Sequence, residues 1–458
     1  MADQPQNRLV RGPIAPTIAR LTLFMIFGML GMVMFNLVDT YFVGRLGQNE
    51  LAAMSFTFPV VMVVQSIALG MGVGTASVVS RALGEGDHDK VQRLTTDALA
   101  LSVLVVIVVS TIGVLTIDPL FRALGASPLL LPLIREYMVV WYIGVPFVVI
   151  PMVGNNAIRS TGDTLTPSIV MLVAVIVNTV LDPLLIFGIG PFPEWRLFGA
   201  AFATVAARAC TLVVSLAILA YRKRMLSRAR PTAAAVLDSW RRLTFVGLPA
   251  AATNMIIPLS VGVITRLLAG FGQEAVAGYG VASRIEMFAL TVVFALAAVI
   301  GPFTGQNIGA GQPDRARRGM HASLLIALGW CAAVFVLFVS AAGPIAAVFN
   351  RDAPGITQVT VWYLLIVGGS YIGQSAFRLV NTAFSALGKP LPAAVLSLVR
   401  MFGLTIPLAV VGARMFGVRG VFAGIAAANV ISGAAAYLWY LATLAALQRR
   451  ATAVADRA

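Results

Sequence analysis

Two aspartates lie within apolar runs of this chain, and each follows an amide by about one helical turn. Asp39 follows Asn36 at i−3 and Asp182 follows Asn178 at i−4, spacings that set each pair on one face of a helix. An acid at membrane depth is costly and is usually retained for a task. Pro183 comes directly after Asp182. It has no N–H for the carbonyl of Thr179, so it frees an oxygen beside the acid and favours a bend, which makes it a candidate hinge. Thr204 offers a hydroxyl on a neighbouring span. Two carboxylates, an amide, a hydroxyl and a loosened carbonyl form an all-oxygen set suited to Na⁺ or to proton relay. Asp39, Asn178, Asp182 and Thr204 are therefore the candidate cation-binding and coupling residues, with simple ion pairing to a buried arginine such as Arg208 as the competing role.

Other groups point less sharply. Glu286 has Arg266 and Arg284 at similar depth, which predicts a structural ion pair. Arg378 and Arg400 are embedded in later spans; Arg400 would cap helix carbonyls or meet an anionic part of a substrate. Gly70-x-Gly72-x-Gly74 superficially resembles a phosphate loop, but it sits inside an apolar span with no strand before it. Gly70 and Gly74 instead predict a small-residue face for close helix packing. The sequence has no GxxxxGK[ST] motif, so direct drive by ATP is not expected. The two histidines, His88 and His321, lie in or beside loops, and no nucleophile–base set assembles around them. Neither an enzyme nor a cofactor is expected. Cys210 and Cys331 lie in apolar runs without metal or disulfide spacing and are read as packing residues.

The elements that must position these groups follow from composition. Of 458 residues, 59% are hydrophobic and 11% charged, against roughly 25% charged in soluble domains. Mean hydropathy is +0.91. Apolar runs long enough to cross a bilayer recur at 17–43, 51–80, 94–117, 135–157, 166–189, 197–220, 243–269, 277–304, 320–341, 358–381, 391–411 and 420–446. The run at 17–43 is too long for a signal-peptide core and is read as a retained first span. Asp39, Asp182 and Thr204 then lie at matching depth, roughly 7–11 Å below the outer boundary at 1.5 Å per residue.

The net charge of +15 has a topological explanation. One alternating set of loops holds 20 lysines and arginines and the other holds 7. That asymmetry predicts both termini in the cytoplasm and excludes a nucleic-acid surface as the reason for the charge. The halves also repeat. Gly47-Gln48 returns as Gly272-Gln273, Gly84-x-Gly86 as Gly309-x-Gly311 and Arg93 as Arg318, each 225 residues later. Asn156 pairs with Asn381, and Gly162 with Gly388 after a one-residue slip. Six spans return the chain to its starting side, so the repeat is parallel, with substrate expected between the halves. The predicted fold is an all-α integral membrane protein of twelve transmembrane helices in two six-helix lobes. Residues 1–221 form the N-terminal lobe, 222–242 a basic cytoplasmic linker and 243–458 the C-terminal lobe.

With these residues in hand, the sequence resembles the multidrug and toxic compound extrusion (MATE) family, in the branch of DNA-damage-inducible protein F. The likeness rests on Val38-Asp39-Thr40-Tyr41-Phe42-Val43-Gly44-Arg45-Leu46-Gly47, Ser80-Arg81-x-Leu83-Gly84-x-Gly86, Arg159-Ser160-Thr161-Gly162-Asp163 and Gly305-Gln306-Asn307-x-Gly309-Ala310-Gly311. It implies two six-helix lobes that export organic, often cationic, compounds in exchange for Na⁺ or H⁺. In that branch a helix-1 aspartate, an Asn-x-x-x-Asp pair of helix 5 and a helix-6 threonine form the coupling site, matched here by Asp39, Asn178, Asp182 and Thr204. Another branch places an acid in helix 7, and no acid stands between Leu243 and Ala269.

The expectation is a secondary active multidrug exporter of the inner (plasma) membrane, working as a monomer on small organic molecules in contact with membrane lipid. A lipid-linked precursor flippase of the same superfamily is the alternative. Tyr41, Met152, Asn155, Met255 and Gln374 are the expected cavity-wall residues.

Overall fold

The computed structural model describes residues 8–227, 229, 231–349 and 353–455. Arg228, Arg230, Arg351 and Arg457, counted among the loop charges, lie outside the described residues, as does the side chain of Asn36. Among the described residues the chain is helical, with no strand. Such an outcome is required in lipid, where each backbone N–H and C=O must be paired within its own segment.

After a single turn at Arg8–Arg11, the helices are α1 (Ile14–Gly44), α2 (Gln48–Glu85), α3 (His88–Ala123), α4 (Leu131–Ser160), α5 (Leu165–Phe187), α6 (Arg196–Ala217) and α7 (Ala233–Ala269). α8 is broken at Leu290 into Gln273–Ala289 and Thr291–Gly309. α9 is Pro313–Phe349, and α10 runs through Pro354–Ile366, a 3₁₀ turn at Gly368–Ser370 and Tyr371–Ala386. A 60-residue helical stretch, Pro390–Arg449, is long enough to cross twice. Phe416 (φ −136°) and Gly417 (φ +60°) interrupt it, dividing α11 (390–415) from α12 (418–455). Among the described residues this makes twelve helices placed to cross a membrane, as the sequence predicts. Several helices outrun the apolar spans read from sequence, because polar caps and charged turns extend them beyond the hydrocarbon. The Asp87 side chain, for example, accepts from the Lys90 N–H and starts α3 at His88.

The repeated loop residues have a conformational reason. Gly86 (φ +79°) and Gly311 (φ +69°) both take the left-handed region, as do Gly162 (φ +83°) and Gly388 (φ +70°). A side chain would strain each turn, so the same residue type recurs at equivalent places in both halves. After Gly162, Asp163 accepts from the N–H of Thr166 at 3.0 Å and from its hydroxyl at 2.8 Å, and pairs with Lys223 at 2.7 Å. Burial would push the Asp163 carboxyl up, but Lys223 and Thr166 outweigh it and hold the group below its ordinary value. This ion pair fastens the start of α5 to the chain leaving α6.

Packing divides the chain into two compact units, Phe24–Ala251 and Met1–Leu23 together with Ala252–Ala458. In the first, Gly70 and Gly74 let α2 meet the start of α7. An added Cβ would lie 2.4 Å from the Gly247 oxygen and 2.5 Å from the Leu243 oxygen, respectively, as expected for a small-residue face. In the second, Leu9 and Ile18 are buried with Leu296, Phe303, Met320 and Phe384. The Asn307 amide and Arg315 Nε both donate to the Leu9 oxygen at 3.2 Å. Cys331 is buried 3.4 Å from the Ser375 hydroxyl, whereas Cys210 is exposed rather than a core packing residue.

Candidate functional site

Close backbone approaches within the first unit bring the acids together. Gly28 and Gly31 of α1 face α5: an added Cβ would lie 2.7 Å from the Ser168 hydroxyl and 3.1 Å from Leu172, respectively. The two helices run the same way, so counting on from that contact brings Asp39 level with Asp182. Gly199 does the same for α6, where a Cβ would lie 2.4 Å from the Leu185 oxygen of α5. α5 remains helical through Pro183 and ends at Gly188 (φ +67°), about one and a half turns beyond Asp182.

Asp182 and Asn178 are fully buried and Asp39 nearly so. The Asn178 amide donates to Asp182 Oδ1 at 3.0 Å. The Thr204 hydroxyl lies beside the Asp39 carboxylate, and the two carboxylates are close enough to interact electrostatically. Asp39 Oδ1, Asn178 Oδ1 and Asp182 Oδ2 are buried with no donor among the described residues. Leaving such acceptors bare in a dry interior is expensive. Buried oxygens without donors, on two interacting carboxylates and an amide, are suited to a proton or a hard monovalent cation.

Arg208 makes no close ion pair with the acids. It is within electrostatic reach of Asp39, but no ion pair within 4.0 Å joins it to either acid among the described residues. Its guanidinium instead covers the Phe35 ring at 4.5 Å and reaches the Met171 sulfur at 3.6 Å. Among the described residues no group of three or more His, Cys, Asp or Glu side chains could hold a metal ion. The oxygen-only donor set likewise does not suit a soft transition metal.

Sequence reasoning missed Tyr137 of α4. It is buried and interacts electrostatically with both Asp39 and Asp182, which places it beside the pair. A tyrosine in an apolar span carries no distinguishing signal, and only the packing of α4 against its neighbours reveals it.

The expected wall residues are scattered over both units. Tyr41 is exposed, edge-on to Phe42, with Arg45 over its ring. Met152 packs at the edge of the first unit's core, and Asn155 accepts from the Ser215 hydroxyl at 2.9 Å. Met255 is exposed on the second unit. Gln374 donates to Glu286 at 2.9 Å.

That last contact corrects the expected pairing of Glu286 with Arg266 or Arg284. The carboxylate accepts from Tyr363 and Gln374 of α10, and no described arginine comes within ion-pair distance. α8 and α10 pack here through Tyr279 and Tyr363, whose rings meet edge-on at 5.7 Å. Glu286 therefore points into the bundle, while equal depth alone had suggested the arginines. Arg400 gains a partner in Asn429, donating to its Oδ1 at 2.8 Å.

The MatE family model matches this chain twice, at residues 25–184 and 249–411, one match in each repeat. A Shewanella oneidensis protein named FAD transporter is 38% identical over 437 residues, covering 95% of this chain and 96% of that one. A Bacillus subtilis probable multidrug resistance protein, YoeA, is 25% identical, covering 88% of this chain and 89% of that protein. The crystal structure of the Vibrio cholerae MATE transporter VcmN in the bent form superimposes with a TM-score of 0.90 at 29% identity, covering 97% of this chain and 99% of that chain. With twelve crossings in two repeats, and a family model spanning most of both, this multi-pass membrane protein belongs to the MATE family of transporters.

Proposed function

We propose that this chain exports small organic compounds by alternating access, with H⁺ or Na⁺ entering through Asp39, Asn178, Asp182 and Thr204. The observation that carries this reading is the set of three buried acceptor oxygens without donors around two carboxylates. A cation or proton that joins the set stabilises it, so its occupancy gives a lever on the conformational equilibrium. Pro183, one residue beyond the acid, serves as the hinge, and Tyr137 closes the site from α4. The substrate class is supported by relatives named as a probable multidrug resistance protein and a multidrug export protein. A specific second reading is FAD, favoured by the 38% identity over almost the whole chain to the protein of that name.

The coupling is tested with inverted vesicles. A lumen-acid or lumen-high-Na⁺ gradient should drive uptake of ethidium, and the effective gradient identifies the ion. Equal uptake with no imposed gradient would favour a passive pathway and end the antiport reading.

In this reading the protein is a monomer in the plasma membrane, surrounded by lipid, with both termini cytoplasmic. Loop charge supports the orientation. Cysteines introduced at Ser227 and Ala455 should be labelled by a membrane-impermeant maleimide only from the cytoplasmic side, and one at Gln48 only from outside. Labelling of Ser227 in intact cells would invert the topology.

A further inference from the structure

The second unit contains two cations that the coupling site does not use. Arg378 on α10 and Arg400 on α11 interact electrostatically with each other, and Glu286 is the carboxylate within reach of both. That acid is already held by Tyr363 and Gln374 and forms no ion pair with either arginine. Two guanidiniums facing one engaged carboxylate leave a net positive charge within the membrane-spanning bundle. Such a cost is ordinarily met by a partner.

Both guanidiniums are held ready for one. Arg378 lies over the Phe294 ring at 4.2 Å and Arg400 over the Phe377 ring at 4.5 Å. Stacking covers one face and fixes the plane, while the in-plane N–H fork stays available. Among the described residues the Arg378 guanidinium has no hydrogen-bond acceptor. Arg400 uses Nη2 on Asn429, which is braced in turn by Ser370 at 3.0 Å. Neither arginine is sealed off, since both remain partly exposed. The surrounding backbone is irregular: Arg400 sits on a π turn (Val399–Thr405), Ser370 ends a 3₁₀ turn, and α8 breaks at Leu290, one turn after Glu286. Irregular turns of this kind within helices mark places where side chains have been re-aimed.

We infer that Arg378 and Arg400 form an anion subsite that receives a phosphate-ester group of the transported compound. A planar fork suits a phosphate oxyanion, and an anion between the two guanidiniums would relieve their mutual repulsion. The inference rests on the reading of this chain as an exporter of organic compounds and adds the charge class of one substrate.

The test uses the purified full-length protein in nanodiscs, with FAD and riboflavin as probes that share a ring system and differ in the phosphates. Quenching of flavin fluorescence should show FAD bound at least about tenfold more tightly than riboflavin, with inorganic pyrophosphate competing for FAD. Arg378→Gln and Arg400→Gln should each bring that preference close to unity, and Arg378→Lys and Arg400→Lys should restore part of it. The comparison is made on variants whose melting curves match the parent; the lysine variants carry the test where a glutamine variant misfolds. A wild type with no preference for the phosphates would overturn the subsite, as would glutamine variants that retain the full preference. Gradient-driven ethidium uptake by the wild type is scored separately, so failure of the exporter reading is distinguishable from failure of the subsite.

Discussion

Proteoliposomes containing Asp39→Asn or Asp182→Asn are expected to bind substrate yet fail to accumulate it against a gradient. Asparagine keeps the shape of aspartate but cannot take up and release the charge that the gradient acts on. One charge moving through 100 mV releases about 2.3 kcal/mol, enough for roughly a fiftyfold gradient of a neutral substrate in 1:1 exchange. Coupling needs the cation and the substrate to favour opposite states of one shared element. The proposed element is the pair of acids: Asn178 donates to Asp182, Thr204 lies beside Asp39, and three oxygens are left over. Removing either charge should reduce concentrative transport to the level of protein-free liposomes. Equilibrium binding, measured on the same preparations, should persist because the lost quantity is the differential response to the cation. Full accumulation by both variants would exclude the site and redirect attention to Glu286.

The second large effect concerns folding. Gly433→Ala should sharply reduce the yield of monodisperse protein, because α12 crosses α10 at backbone contact. A Cβ on Gly433 would lie 2.2 Å from the Gly373 oxygen, and one on Gly373 would lie 2.6 Å from the Asn429 oxygen. No rotamer change relieves a clash with backbone, so the helices must separate, at a cost of about 1–3 kcal/mol. Separation would also displace Asn429, the support of Arg400. Gly329→Ala is the matched control, since a Cβ there meets nothing within 4 Å. Size-exclusion chromatography of heated detergent extracts should show early loss of the Gly433 variant and parent-like behaviour of the control. Equal stability of the two would show that the α10–α12 crossing tolerates separation.

Much of the architecture was legible because lipid restricts the choices. A segment of about twenty apolar residues in a bilayer must be a helix, and its length and charge flanks can be read from composition. The repeat was legible for a related reason: Gly86 and Gly311 must adopt a conformation that other residues resist, so identity survives at the turns. Where helices extend beyond the hydrocarbon, as α3 does from its Asp87 cap, hydropathy was silent and the boundaries moved.

The site divides in the same way. Asp39 and Asp182 stand out in sequence because a carboxylate among apolar residues is anomalous wherever the helices go, and Asn178 stands out because i−4 spacing fixes its face. Which groups stand beside them is a matter of helix neighbours. Tyr137 joins them, Arg208 turns aside onto Phe35, and Glu286 meets Tyr363 and Gln374 in place of arginines at its own depth. Sequence by itself determined which charged residues stand within apolar runs and where along its helix each one falls, since both depend on one segment and its solvent. Only the tertiary structure decided their partners, because depth is one coordinate and contact also depends on helix rotation and on close approaches at residues such as Gly28 and Gly199.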